Sequence, residues 1–211
     1  MVGKGMGDSF SAIPLARRNA KFSIVAHDGS FLWRAIPKNA STSLRKLLGP
    51  RGMTLQELDQ AGAVTPSWSF AVVRHPERRV VSAWLNKLNP KRLNDGNAHI
   101  MDRHPDLRLG MPLEDFVDWL ADALARPTPA DPHWCPQNHF IFDKRGARLA
   151  DHLVRFETLA ADLSAIEDRI GPTGELKHHG GTGSEAVVVP STVSRKLRKI
   201  YASDFELLAY D

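Results

Sequence analysis

Phe31-Leu32-Trp33-Arg34-Ala35-Ile36-Pro37-Lys38-Asn39-Ala40-Ser41-Thr42-Ser43-Leu44 is the stretch that decides the fold. An apolar run, Phe31 to Ile36, leads into a short polar turn, and the turn opens a helix predicted from about Ser41 to Leu48. The first turn of a helix has free backbone N–H groups and a partial positive charge, so it attracts anions. Lys38 adds a full charge, and Ser41, Thr42 and Ser43 add hydroxyl donors. The expected guest is a phosphate or sulfate group. The turn is not a Walker loop, because no glycine stands between Gly29 and Gly49 and the lysine precedes the hydroxyls by several residues. A helix merely capped by Ser41 or Asn39, with a solvent-facing lysine, would use the same residues.

A second segment repeats the pattern. Ser69-Phe70-Ala71-Val72-Val73-Arg74-His75-Pro76-Glu77-Arg78-Arg79-Val80-Val81-Ser82-Ala83-Trp84 reads as strand, turn and helix. Phe70 to Val73 suits a buried parallel strand, and Pro76 suits a first helical position. Val80, Val81 and Trp84 form the expected buried face, with Glu77, Arg78 and Lys87 outside. Arg74 leaves the strand tip and Ser82 lies two helical turns further on. Arginine offers a planar fork of donors to a phosphate dianion, and a serine hydroxyl can complete the shell. Alternatively, Arg74 is a surface ion-pair residue and Ser82 a neutral helix residue. Two strand–turn–helix units in succession predict a single α/β domain, with a central, mainly parallel sheet flanked by helices.

Three later segments extend the pattern. They are Asp131-Pro132-His133-Trp134-Cys135-Pro136-Gln137, the R-F-E-x-L-x-x-D run from Arg155 to Asp162, and the closing Y-x-x-D-F-x-x-x-x-Y from Tyr201 to Tyr210. With the two loops, they resemble the family 2 sulfotransferases, which use 3′-phosphoadenosine 5′-phosphosulfate (PAPS), and within them the chondroitin and dermatan 4-O-sulfotransferases. The resemblance runs in order from about Phe22 to Asp211. It implies a P-loop NTPase-like sulfotransferase fold over residues 21–211, PAPS as co-substrate, and a hydroxyl acceptor, with carbohydrate favoured. It also implies residue roles. Pro37, Lys38, Asn39, Ala40, Ser41, Thr42 and Ser43 would hold the 5′-phosphosulfate, with Lys38 on the bridging oxygen. Arg74 and Ser82 would hold the 3′-phosphate, and Phe156 would lie by the adenine.

The acceptor hydroxyl needs a base. His133 is the first choice, because prolines flank its segment and imidazole titrates near neutrality. A structural hydrogen-bonding role for His133 stays open, and Glu57 or a histidine of residues 90–111 is the next candidate. His75 can serve as a helix cap. His99, His104, His178 and His179 fall in polar stretches. The sulfuryl group carries less charge than a phosphoryl group, so lysine and backbone dipoles suffice and no metal is expected. The single cysteine, Cys135, argues against a zinc site and against internal disulfides.

With 211 residues, 42% hydrophobic and 25% charged, the chain fits one globular domain. Residues 1–20 read as loosely held. No run is apolar enough for a membrane span or a signal core, so a cytoplasmic catalytic domain is expected. A net charge of +4 suits a multiply anionic nucleotide and an acidic acceptor. Nucleic acid is not an expected partner, since no recognition motif accompanies the charge. Other expected elements are a hairpin around Asp28-Gly29, a short helix at Leu55–Gln60, a polar insertion over residues 90–111 and a helix from Leu113 to Leu124. Strands at His139–Phe142 and Leu153–Phe156, a helix from Thr158 to Ile170, a glycine-rich loop from Gly171 to Gly183, and a last helix from Thr192 to Tyr210 complete the set. The basic run Arg195–Lys199 falls on a solvated face of that helix. A nucleotide kinase of related fold would need a Walker loop and a metal-holding acid, and neither is visible. A non-catalytic PAPS- or polyanion-binding module could dispense with Lys38, which is present.

Overall fold

The structure is a computed structural model that describes residues 19–61, 66–92, 95–126, 130–174 and 183–211. Residues 1–18 and most of the glycine-rich 171–183 loop, with His178 and His179, lie outside these. Five strands form one sheet: β1 (Ile24–Ala26), β2 (Leu32–Arg34), β3 (Gly52–Thr54), β4 (Ser69–Val73) and β5 (His152–Arg155), in the order β3-β1-β2-β4-β5. β2, β4 and β5 are parallel neighbours, whereas β1 is antiparallel to both β2 and β3. The sheet is therefore mixed and not mainly parallel as expected. The cause is local. Gly29 takes a φ of 74°, its N–H bonds to Ala26 O at 3.0 Å, and Asp28 Oδ1 accepts from Ser30 N–H, so the chain reverses at once into a hairpin. β3 then joins the outer edge of β1. Gly52 is needed there, because a Cβ would stand 2.1 Å from the Val25 carbonyl oxygen.

Ten α-helices occur among the described residues: α1 (Ser41–Leu48), α2 (Leu55–Ala61), α3 (Pro76–Lys87), α4 (Asp95–Arg103), α5 (Leu113–Ala125), α6 (Asn138–Ile141), α7 (Leu159–Ser164), α8 (Glu167–Ile170), α9 (Ser191–Ile200) and α10 (Ala202–Leu207). β4 alternates across the sheet. Phe70 and Val72 face a core built with Trp33, Leu44, Leu48 and Leu163, while Ala71 and Val73 face Ile36, Cys135, Phe140 and Ile141. A third core joins α3, α5 and α9 through Val80, Val81, Phe116, Leu120, Val193 and Leu197, closed by Trp134 and Tyr201.

Several expectations change. The 90–111 insertion carries α4, whose Ile100 is fully buried. His139–Phe142 is not a strand. α6 occupies most of it, because Gln137 and Asn138 donate their N–H groups to Asp204 and start a helical turn. The expected Thr158–Ile170 and Thr192–Tyr210 helices each divide in two, the second at Tyr201, whose hydroxyl donates to the Trp134 carbonyl. Lys87, expected outside, is buried, and so is Arg79.

Arg79 is 1% exposed. Its Nε donates to Pro37 O at 3.1 Å, Nη1 to Cys135 O at 2.8 Å and Nη2 to Pro132 O at 2.9 Å. One guanidinium thus ties the loop after β2 to the loop carrying His133. Removing it strands one buried and two part-buried carbonyls, which are costly to leave without a donor. Arg79→Ala should lower the folding free energy by about 3–5 kcal/mol, read as a drop in the urea midpoint at unchanged m-value. A loss below about 1 kcal/mol would show that water replaces the guanidinium.

Candidate active site

β2, β4 and β5 point the same way, so the loops that follow them meet at one edge of the sheet. The first loop, residues 35–40, has an uncommon backbone: Lys38 has a φ of 73° and Ala40 a φ of 56°. Neither is glycine, and each such residue costs on the order of 1–3 kcal/mol unless its surroundings fix it. Arg79 and Arg74 do so from below by taking the Pro37 and Lys38 carbonyls, the latter at 3.1 Å. Asn39 completes the clamp. Its side chain is 1% exposed and donates to Val72 O and to Gln137 Oε1, both at 2.7 Å. Ala40, at the N-cap of α1, has no side-chain oxygen to cap the first turn. The helix N-terminus therefore keeps its affinity for an anion. Ser41 is half-buried, Thr42 exposed and Ser43 buried.

Arg74 leaves β4 and is 4% exposed. Its guanidinium lies 4.0 Å from the centre of the Phe156 ring, just past β5. Nη2 donates to Ser184 Oγ at 2.9 Å and to the Glu185 carboxylate. Nε is buried without a hydrogen-bond partner among the described residues. Arg78 Nε stands 4.0 Å from Glu185 Oε2, and Arg78 Nη1 donates to Val187 O at 2.9 Å. A buried, partly unsatisfied guanidinium facing a carboxylate is an anion site by chemistry. Ser82 is buried on α3.

The loop before α6 supplies the third component. His133 Nδ1 is 2.7 Å from Asp131 Oδ1, which also accepts the His133 backbone N–H at 3.0 Å. His133 lines a cavity of about 160 Å³ with Pro37, Ser41, Thr42 and Arg45. Its side chain is 29% exposed. Burial lowers its pKa, and so do the positive charges of Lys87 and Lys38; Asp131 opposes them. The Asp131 carboxylate, 1% exposed, is held down at about 2 against its own desolvation by His133 and Arg103.

Sequence reasoning thus named residues that the fold brings together from three loops: Pro37 to Ser43, Arg74 with Phe156, and His133. Phe156 carries the Arg74 guanidinium, and the Asn39 side chain is spent inside the loop. Glu57 lies elsewhere, capping α2 through Thr54. Arg79, Gln137, Asp131 and Glu185 were missed. Gln137 and Asp131 stood inside a quoted motif. Arg79 had no signal beyond one arginine among three charged neighbours, and Ser184-Glu185 had none. Among the described residues, no group of three or more His, Cys, Asp or Glu side chains stands close enough to share a metal, and no helix is long and apolar enough to cross a membrane.

An α/β sheet whose parallel strand ends carry an uncapped helix N-terminus and a buried arginine gathers anion-attracting groups at one edge. The chain belongs to the sulfotransferase family, family 2: the family profile matches residues 22–211, nearly the whole chain. Comparison with curated proteins and with solved structures returned no match.

The depressed Asp131 gives a pH signature. A carboxylate whose folded pKa lies below its unfolded value stabilises the protein above the unfolded pKa, and the contribution is lost as pH falls through the folded one. Between about pH 4 and pH 2, Asp131 should cost about 2 kcal/mol of stability. Urea midpoints at pH 7, 4 and 3 should fall less steeply in Asp131→Asn than in the unaltered chain. Parallel curves would show that other carboxylates dominate acid unfolding.

Proposed function

We propose that the chain moves the sulfuryl group of PAPS to a hydroxyl acceptor, a carbohydrate by preference. Family membership supports sulfuryl transfer in general, and the family generally uses PAPS as donor. The observation that carries the reading is the common cavity of His133 and the Pro37–Thr42 loop, since it places a base candidate beside the anion loop. The residues fit the donor. The uncapped α1 terminus, with Ser41, Thr42 and Ser43, suits the 5′-phosphosulfate, and Lys38 follows the strand at the start of that loop. Arg74, with a buried donor to spare, suits the 3′-phosphate that distinguishes PAPS from ATP, and Ser82 is assigned with it. Phe156 lies against the Arg74 guanidinium and is assigned to the adenine. The strand–loop–helix order accords with a P-loop NTPase-like arrangement.

The chemistry assigned to the chain is in-line transfer. His133 takes the acceptor proton as the acceptor oxygen bonds to sulfur. Lys38 and the α1 N–H groups stabilise the charge that develops on the phosphate oxygen as its bond to sulfur breaks. The products are a sulfate ester and adenosine 3′,5′-bisphosphate. A depressed imidazole is neutral at pH 7, the state a base needs.

Calorimetry with adenosine 3′,5′-bisphosphate, ADP and AMP tests the donor site. The bisphosphate should bind best, and Arg74→Ala should remove most of its advantage, about 2–4 kcal/mol. Equal affinity for ADP and the bisphosphate would reject the assignment of Arg74. Transfer of labelled sulfate from PAPS to desulfated chondroitin tests the reaction. Lys38→Ala should lower kcat strongly and weaken PAPS binding somewhat. His133→Ala should leave PAPS affinity unchanged and lower kcat by roughly 10²–10⁴. Near-normal turnover in His133→Ala would place the base elsewhere.

A further inference from the structure

We infer that Asp131, clamped by Arg103 of the 90–111 insertion, is a positioning residue that fixes the ring orientation and tautomer of His133, so that Nε2 presents its lone pair to the acceptor. The inference rests on the reading of His133 as the base.

The geometry is that of an aspartate–histidine pair. Asp131 Oδ1 holds both the backbone N–H and Nδ1 of His133, at 3.0 and 2.7 Å, so one oxygen fixes the main chain and the ring together. The other oxygen, Oδ2, has no hydrogen-bond partner among the described residues and faces Arg103 Nη2 as an ion pair at 3.0 Å. The Asp131 backbone carbonyl accepts from Trp134 and Cys135 N–H at 3.1 and 2.9 Å, which stiffens the turn that carries the pair. An ionised carboxylate only accepts hydrogen bonds. Nδ1 must therefore carry the proton, and Nε2 is left bare. A free imidazole in water divides its proton between the two nitrogens and turns about its side-chain bonds, and both freedoms are removed here.

The charges around the ring show why a partner is needed. Burial depresses the imidazole, and Lys87 of α3 and Lys38 of the anion loop add to it; Arg45 of α1 lines the same cavity. Asp131 opposes them. Without it, the ring would be a weaker base beside two lysines. Arg103 is ion-paired with the far oxygen of Asp131 and is more than half exposed, so it neutralises the carboxylate without burying a charge of its own. The insertion that carries it packs its Ile100 into the helical core and sets His104 against Trp119 and Trp134. The insertion therefore braces the base from behind.

Histidine ¹⁵N-labelled full-length chain provides the test, with His133 assigned by the signal lost in His133→Gln. Long-range ¹H–¹⁵N spectra should show Nδ1 protonated and Nε2 bare in the unaltered chain. Asp131→Asn should mix the two tautomers and lower the imidazole pKa, because the opposing negative charge is gone. With desulfated chondroitin as acceptor, its kcat should fall on the order of 10- to 100-fold, with affinity for adenosine 3′,5′-bisphosphate unchanged. Arg103→Ala removes an exposed side chain, leaves the fold intact and carries the test should Asp131→Asn not fold. It should raise the imidazole pKa and lower kcat several-fold, and Arg103→Lys should restore part of the loss. Nε2 protonated in the unaltered chain, or a tautomer indifferent to both substitutions, would overturn the positioning role whatever the turnover. A bare Nε2 that responds to Asp131, with full turnover in His133→Ala, would instead sink the reading of His133 as base and with it the catalytic use of Asp131.

Discussion

A single buried guanidinium sets the geometry on which the site depends. Arg79 rises from α3 into the space between two loops that share no other strand or helix, and it spends its donors on Pro37, Pro132 and Cys135. Burying such a charge is costly, and burial lowers the Arg79 pKa, while Asp204 offsets the effect from a similarly buried position. The cost gives rigidity in return. A strained loop with Lys38 and Ala40 at positive φ would relax if its carbonyls could turn to water, and the arginines below prevent that. The same bonds fix the distance between the anion loop and the loop carrying His133.

The C-terminal segment locks this assembly from outside. Asp204 caps α6 through Gln137 and Asn138 N–H. Gln137 in turn accepts from Asn39 and from Arg74 N–H and donates to the Arg74 carbonyl, so one amide spans both anion turns. Tyr201 binds the Trp134 carbonyl. Arg155 reaches the carbonyls of Leu208 and Ala209 and stacks on Tyr210, whose hydroxyl donates to Glu157. The polar residues of the two later motifs are mostly spent on wiring, and the site they serve lies among other residues.

That division explains what the sequence disclosed. The two strand–turn–helix units were legible because each is local: apolar run, charged turn and helix start follow within fifteen residues or so, and hydrophobic spacing reports them directly. The helix α5 was legible for the same reason. The antiparallel edge was only half visible, because Asp28-Gly29 announces a hairpin while nothing local announces that β3 will return to pair with β1. Lys87 defied polarity-based reading, and the burial of Arg79 is decided by carbonyls contributed from distant loops. His139–Phe142 has strand-like composition, but the Asp204 cap, some sixty residues later, makes it helical. Long-range polar contacts, not local propensity, account for the buried Arg79 and for the helical turn at Asn138.

The same polar economy bears on how the donor site would fill. Arg74 is not idle in this structure, because Glu185 and Ser184 already engage its Nη2, and Arg78 supports the short segment that carries them. A phosphate brought to Arg74 would meet a carboxylate of like charge, and the low dielectric around a buried guanidinium makes that repulsion larger than at the surface. Glu185 is largely exposed, so it can leave for water at small cost, whereas Arg74 cannot follow it: Phe156 covers its face, and its backbone is held by Gln137. The arginine is thus the fixed member of the pair and the carboxylate the exchangeable one. On the proposed reading, binding selects for an anion able to outcompete a monoanionic side chain for the same fork. A phosphate dianion meets that requirement better than a ribose hydroxyl does.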